Sequence, residues 1–100
     1  MPSYLKLKPS VQAPSILVIA AAAINAKNFL LIQNNTVVTS ANDSQHMAGS
    51  LHYKDRALDF RTSDLAPRQV EQWADEIRKR LGPGFDVIIE RDHLHVEHNL

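Results

Sequence analysis

Two stretches of the chain carry the pattern of apolar residues that is typical of helices. Residues 16–27 are rich in alanine and apolar on nearly every side, and Pro14 suits a first helical turn, so we expect a central, buried helix. Residues 67–81 are amphipathic instead, because their apolar positions recur at helical spacing. We assign that apolar face to the core, with the members Val70, Trp73, Ala74, Ile77 and Leu81.

Short β-branched or alternating runs predict strands at 36–39, 57–60, 85–90 and 93–97. The last two runs flank a short turn at 91–92, so we expect them to form a hairpin. Helices that are separate from a cluster of short strands are typical of an α+β fold rather than of a βαβ crossover fold. The pattern therefore predicts a small antiparallel sheet with the two helices packed to one side.

The chain fits one domain of 100 residues, with an N-terminal arm at 1–13 and a core at 14–97. Asp64 or Ala66 can cap the second helix at its start. Glycine and proline at 82–84 end that helix. Chain length alone argues against a second domain, because each half would be too small to bury an adequate core.

Composition and charge exclude several classes of protein. Apolar residues make up 44% of the chain, which argues against disorder. Eleven basic and eleven acidic residues cancel, so the chain lacks the basic field that nucleic-acid binding usually needs. The most apolar stretch is interrupted by polar residues, and residues 1–13 are mixed and polar. We therefore expect no membrane span, no export signal and synthesis in the cytoplasm.

Histidine is the residue type that points to chemistry. The chain has no cysteine, so a metal site has to use His, Asp or Glu. Residues 1–40 contain three lysines and no acid, whereas residues 41–100 contain all eleven acids. The five histidines fall in the same acidic part of the chain, at His46, His52, His93, His95 and His98.

A catalytic zinc normally has three protein ligands and one open position. His52, Asp59 and His95 can supply that set. Seven residues separate the first two, and an odd spacing on a regular strand would point them to opposite faces, so the chain has to bend at 53–56. His93 and His95 are two residues apart and share a face. Incidental histidines near a solvated chain end remain the alternative interpretation of the same spacing.

The segment 50–59 resembles the S-x-H-x-x-G-x-A-x-D motif of the D-Ala-D-Ala metallopeptidases, with matches at Ser50, His52, Ala57 and Asp59. That family includes bacterial zinc DD-carboxypeptidases, dipeptidases and phage L-alanyl-D-glutamate endopeptidases. The segment 92–95, with the sequence DHLH, resembles the second signature of the family, and the likeness spans roughly residues 14–97. The resemblance implies the family's fold, which the hedgehog signalling domain shares. It also implies a zinc-dependent peptidase that hydrolyses an amide bond in bacterial peptidoglycan.

Carried onto this chain, the resemblance implies one zinc ion with the ligands His52, Asp59 and His95. Asp92 is implied as the general base that takes a proton from the zinc-bound water. His93 would then share the site and hydrogen-bond the oxyanion or the water. A rival register keeps the same three-residue spacing, with Glu90 as the base and His93 as the ligand.

The chain departs from the family pattern at two places. Asp55 stands where the motif has glycine, although aspartate tolerates left-handed conformations better than most residues. The family arginine that holds a substrate carboxylate is missing after the 36–39 strand. His46 and Arg61 are the weaker candidates to take its place, and Ser50 is a candidate loop or substrate contact rather than a nucleophile.

These departures keep a second function open, namely a non-catalytic, zinc-stabilised binding or structural domain of a phage or cell-wall assembly. The short chain without an export signal resembles a phage or prophage module that acts on the cell wall. Its expected partner is a peptidoglycan peptide, with neither nucleic acid nor a membrane span involved.

Overall fold

The computed structural model describes residues 15–41 and 56–99. The elements in chain order are α1 (Ser15–Leu30), β1 (Val38–Ala41), β2 (Ala57–Arg61), α2 (Pro67–Leu81), β3 (Phe85–Ile89) and β4 (His93–His98). They form the α+β fold that the sequence pattern predicts. Several sequence-based predictions lie outside the described residues, namely the arm at 1–13, His46, Ser50, His52 and Asp55.

The four strands form one antiparallel sheet in the order β1-β2-β4-β3. Because side chains alternate along a strand, each strand divides its residues between two faces. One face is apolar and carries Leu58, Phe60, Leu94, Val96 and Val87, all of which are buried. The opposite face, here called the polar face, carries Asp59 and Arg61 of β2 and the β4 residues His93, His95 and Glu97.

Both helices pack against the apolar face and enclose the core, as expected. Trp73 of α2 is fully buried, and its ring lies 5.7 Å from the ring of Phe60. The indole N–H donates a hydrogen bond of 3.0 Å to the Ala23 carbonyl, which ties α2 to α1. The predicted apolar face of the second helix is therefore confirmed as core.

The prediction of a central, buried helix holds for only one side of α1. Ile19, Ala23 and Ala26 are fully buried, but Ile24 and Phe29 on other sides of the helix are 46% and 65% exposed. The helix covers one face of the sheet, so only one side of it meets the core. Small alanine side chains on that side allow α1 to approach its neighbours closely.

The first strand begins two residues later than predicted, at Val38 rather than at 36. The backbone at 34–35 is held away from the sheet, because the ammonium group of Lys27 donates to the carbonyls of Asn34 and Asn35 at 3.3 and 2.9 Å. The Val37 carbonyl, directly before β1, already accepts a hydrogen bond of 2.9 Å from the Arg61 N–H. Pairing with β2 is also irregular between Val38 and Ser40. A strand forms where a partner offers hydrogen bonds, so β-branched residues alone did not determine its start.

The second helix has Ala66 as its N-cap, one of the two predicted caps. The Ala66 N–H donates to Gln69 Oε1 at 2.9 Å, while Asp64 pairs with Arg61 instead. The predicted hairpin of β3 and β4 is confirmed, and the turn is closed by a 2.9 Å bond from the Glu90 N–H to the His93 carbonyl. Within the described ranges, neither helix has the length and hydropathy that crossing a membrane requires.

Candidate functional site

The centre of the polar face is a contact between Asp59 and His95, which are 36 residues apart in sequence. The two residues are direct cross-strand partners in the register of β2 and β4. Their side chains meet with Asp59 Oδ1 2.6 Å from His95 Nδ1, and they are only 13% and 17% exposed. Two of the three predicted zinc ligands therefore lie side by side, and His52 lies outside the described residues.

Glu97 contacts the other side of the same imidazole ring. Its Oε1 lies 3.0 Å from His95 Nε2, so both ring nitrogens of His95 face a carboxylate. Sequence reasoning missed this residue. Strand parity was the available signal, because Glu97 is two residues after His95 in β4 and must share its face.

His93 lies next to this pair on the polar face, as strand parity predicts. Its Nε2 is 3.9 Å from Asp59 Oδ2, which is close but too long for a hydrogen bond. Its Nδ1 is 2.7 Å from Asp92 Oδ1. Asp92 itself lies in the turn before β4, with 81% of its side chain exposed. In order of their neighbours, carboxylates and imidazoles therefore alternate, in the series Asp92, His93, Asp59, His95 and Glu97.

These contacts shift the pKa values of His95 and Asp92. Burial of the ring lowers the pKa of His95, but the hydrogen bonds and negative charges of Glu97 and Asp59 outweigh burial and leave the pKa above 6.5. This agrees with the geometry, because only the protonated ring can donate from both nitrogens. The hydrogen bond from His93 holds the pKa of Asp92 below its usual value, so this carboxylate is ionised at neutral pH.

The two remaining candidates within the described residues lie at the edge of this arrangement. Glu90, the rival base, is exposed in the β3–β4 turn, where its backbone rather than its side chain contacts His93. Arg61 faces His93 across β2 and β4. Its Nη2 lies 3.3 Å from Asp64 Oδ2, and its buried Nε has no hydrogen-bond partner among the described residues.

His98 is not among the predicted ligands and has a structural role. Its ring stacks on Phe85 with the ring centroids 4.3 Å apart. Its Nδ1 is 2.7 Å from Ser15 Oγ, which links the end of β4 to the first residue of α1. His98 is therefore part of the packing and lies outside the acid and imidazole contacts of the polar face.

The donor set on the polar face fits zinc in its chemistry. Asp59 offers a carboxylate and His95 an imidazole, and the Glu97 carboxylate can fix the orientation of that ring, as partners of metal-bound histidines usually do. Within residues 15–41 and 56–99, no group of three or more His, Cys, Asp or Glu side chains is arranged to hold a metal. A third zinc ligand would have to come from outside these ranges, where the predicted ligand His52 lies.

Comparison of the chain with protein-family models, with curated proteins and with solved structures found no match. Family membership therefore stays a prediction that rests on the motif residues alone.

Proposed function

We propose that the protein is a zinc-dependent peptidase that hydrolyses an amide bond in the peptide stem or cross-link of bacterial peptidoglycan. The observation that carries the proposal is the contact between Asp59 and His95. These are two of the three residues that the motif marks as ligands, and they come from different strands. The register of the sheet brings them together at 2.6 Å on a face that His93 shares, and Asp92 in the turn before β4 contacts His93.

Asp59 and His95, together with His52, would hold the metal. When bound, zinc would supply a water molecule with a pKa of about 7 and would polarise the carbonyl of the scissile amide. Glu97 then has a positioning role, because its carboxylate accepts the N–H of the ring nitrogen of His95 that faces away from Asp59. That contact fixes the orientation of the ring and makes it a better donor.

Asp92 is the group placed to move the proton. Its exposed carboxylate is ionised at neutral pH, so it can accept a proton and later return it to the leaving amine. The hydrogen bond from His93 lowers the pKa of Asp92 and makes it a weaker base. That bond occupies Oδ1, so the second carboxylate oxygen is the one that would take the proton.

The first test is metal content. Protein purified without a histidine tag should contain about one zinc per chain, measured by elemental analysis. Asp59→Ala and His95→Ala should lose the metal, since each removes a ligand. The control His98→Gln changes a histidine outside the polar face and should keep it. Equal zinc content in all four proteins would contradict the assignment of the ligands.

The second test is activity on purified peptidoglycan, followed by the release of new amino groups. Asp92→Asn should lower the rate by about 100-fold or more while zinc stays bound, because only the proton acceptor is removed. Glu90→Gln is the matched control and should remain active. The opposite result would make Glu90 the base. Zinc binding without any release of amines by the wild type would instead support the non-catalytic binding domain.

A further inference from the structure

One side of α1 carries a row of exposed apolar residues, here called the α1 stripe. Its members Leu17, Ile24 and Leu31 are 45%, 46% and 82% exposed. They are seven residues apart, which is close to two helical turns, so they follow one line along the helix and its end. A contiguous apolar surface on a folded domain usually marks a place where another molecule packs.

A groove of about 960 Å³ extends the α1 stripe to the sheet. Ile24 and Leu31 line it from the helix, and the half-exposed Val38 lines it from β1. β1 is the outermost described strand at its edge of the sheet, and an edge strand presents unpaired backbone groups. The stripe, the groove and the edge of β1 therefore form one continuous surface.

Leu31 breaks two local rules at once. Its φ of 60° is in the left-handed region, where helix ends usually have glycine or asparagine, and a leucine there costs conformational free energy. Its side chain is also the most exposed of the large apolar residues described. Neither feature helps the isolated fold, so both point to a contact that this side chain makes outside it.

Charge narrows the choice of partner. Lys27 is the only charged residue of α1, and its ammonium group is taken up by the carbonyls of Asn34 and Asn35. An apolar surface that lies on an anionic membrane carries exposed lysine or arginine beside it, whereas this groove is otherwise lined by apolar, asparagine, glutamine and threonine residues. Two copies of an uncharged stripe can meet without repulsion between like charges.

The spacing within the α1 stripe is symmetric. Ile24 is seven residues from Leu17 and seven from Leu31. When two such helices lie antiparallel about a two-fold axis at Ile24, each Leu17 faces Leu31 of the second copy, and Ile24 faces its own equivalent. A two-fold interface requires this kind of self-complementary surface. Ala21, one turn from both Leu17 and Ile24, is small enough for the helices to approach closely.

The size of the surface indicates how strong such an interface would be. A helix of 16 residues is about 24 Å long and about 10 Å wide, so the stripe alone is smaller than the roughly 800 Å² per partner of a standard interface. The groove and the edge of β1 have to contribute the remaining area. We therefore expect a dissociation constant in the micromolar range rather than an obligate dimer.

We propose that the protein forms a two-fold homodimer through the α1 stripe, with the two α1 helices antiparallel and Ile24 at the axis. Both helices lie on the apolar side of the sheet, so the dimer leaves the polar face accessible. Its formation depends neither on zinc nor on the proposed peptidase activity.

The mass of the full chain in solution tests the dimer. Sedimentation equilibrium in EDTA, from about 1 μM to 1 mM, should show a rise from 11.2 kDa towards twice that mass. Ile24→Glu places two like charges at the axis and should raise the dissociation constant at least about 100-fold. Phe29→Ala removes an exposed apolar side chain from another side of α1 and is the matched control, which should still dimerise. A wild type that stays at 11.2 kDa throughout would overturn the proposal.

A pair of charged variants tests the position of the axis. Ile24→Lys should also be monomeric, because two ammonium groups would then face each other. An equimolar mixture of Ile24→Glu and Ile24→Lys should associate again, since opposite charges meet across the axis. A mixture that remains monomeric would overturn the two-fold arrangement at Ile24.

Leu31→Asn separates a role in the interface from a role in folding. Asparagine tolerates the left-handed conformation better, so the melting temperature of the dilute monomer should stay unchanged or rise. The dissociation constant should rise about tenfold or more, because one substitution removes two leucines from the dimer. A lower melting temperature with unchanged association would overturn the interface. Binding of a monomeric wild type to phosphatidylcholine vesicles would overturn it too, and would identify a lipid surface as the partner.

Discussion

At the scale of single residues, the most consequential arrangement is the His95 ring between two carboxylates. Asp59 contacts one ring nitrogen at 2.6 Å and Glu97 the other at 3.0 Å. The side chains of His95 and Asp59 are largely buried, so water screens their interaction much less than it screens an ion pair on the surface. Loss of either partner would leave a charge without compensation in a partly buried place.

This arrangement predicts how the metal-free fold depends on pH. The pKa of His95 is raised above 6.5 on folding, so the folded chain binds the proton more tightly than the unfolded chain. The stabilisation is complete below the ordinary pKa and is lost as the pH rises through the raised value. The free energy of unfolding in EDTA, from urea titrations between about pH 5.5 and 8.5, should therefore fall as the pH rises.

Two variants show whether His95 is the source of that slope. Glu97→Gln removes one carboxylate from the ring and should flatten the decrease, because it lowers the pKa of His95 towards its usual value. Glu71→Gln changes an exposed acid of α2, on the other side of the sheet from the ring, and should keep the slope of the wild type. The same flattening in both variants would point to general charge effects instead.

At the scale of elements, the end of α2 depends on one glycine. Gly82 has φ 81° and ψ −171°, a conformation that is essentially restricted to glycine, and its N–H bonds to the Arg78 carbonyl at 2.9 Å. An added Cβ would meet no atom within 4 Å, so any cost of a substitution comes from the backbone. The glycines and proline at 82–84 already predicted the end of the helix here. The positive φ of Gly82 explains why glycine is needed at this position.

Gly82→Ala should therefore destabilise the protein by about 1–3 kcal/mol, measured by urea unfolding. Gly84→Ala is the matched control, because Gly84 lies two residues away, has an equally open surrounding and lacks the positive φ. That variant should be close to neutral, or slightly stabilising through the unfolded state. A similar loss in both variants would show that the glycine conformation is not the cause.

At the scale of the whole molecule, the residues of the core and the residues of the candidate site lie on opposite faces of the sheet. The core cluster, which includes Trp73, Phe60 and Leu94, lies between the helices and the apolar face. Asp59 and His95 lie on the opposite face, where they contact polar side chains. A metal on the polar face would therefore add to a fold that the apolar core already supports.

Removal of metal should accordingly leave the chain folded. In EDTA we expect the helical circular dichroism and the near-ultraviolet signal of the buried Trp73 to be retained. If the proposed site binds zinc, added zinc should raise the melting temperature by an amount that grows with the free zinc concentration, because a ligand that binds only the folded state stabilises it. Cooperative unfolding by EDTA, as in zinc fingers, would contradict this division of roles.

Much of the candidate site follows from strand parity, which needs no tertiary information. The spacing of His93 and His95 predicted a shared face, and the structure places both on the polar face. The same parity also marks Glu97, which the sequence analysis passed over because no motif includes it.

The sequence by itself determined the type of the elements, the apolar face of α2 and the acid and imidazole donors other than Glu97. These are local properties, set by hydrophobic period, by glycine and proline and by side-chain chemistry. Only the tertiary structure decided where β1 begins, which side of α1 is covered and which acid contacts which histidine. Those outcomes depend on the pairing of β2 with β4 and on the packing of both helices against one face. Both are interactions between residues distant in the chain, so a reading along the sequence cannot supply them.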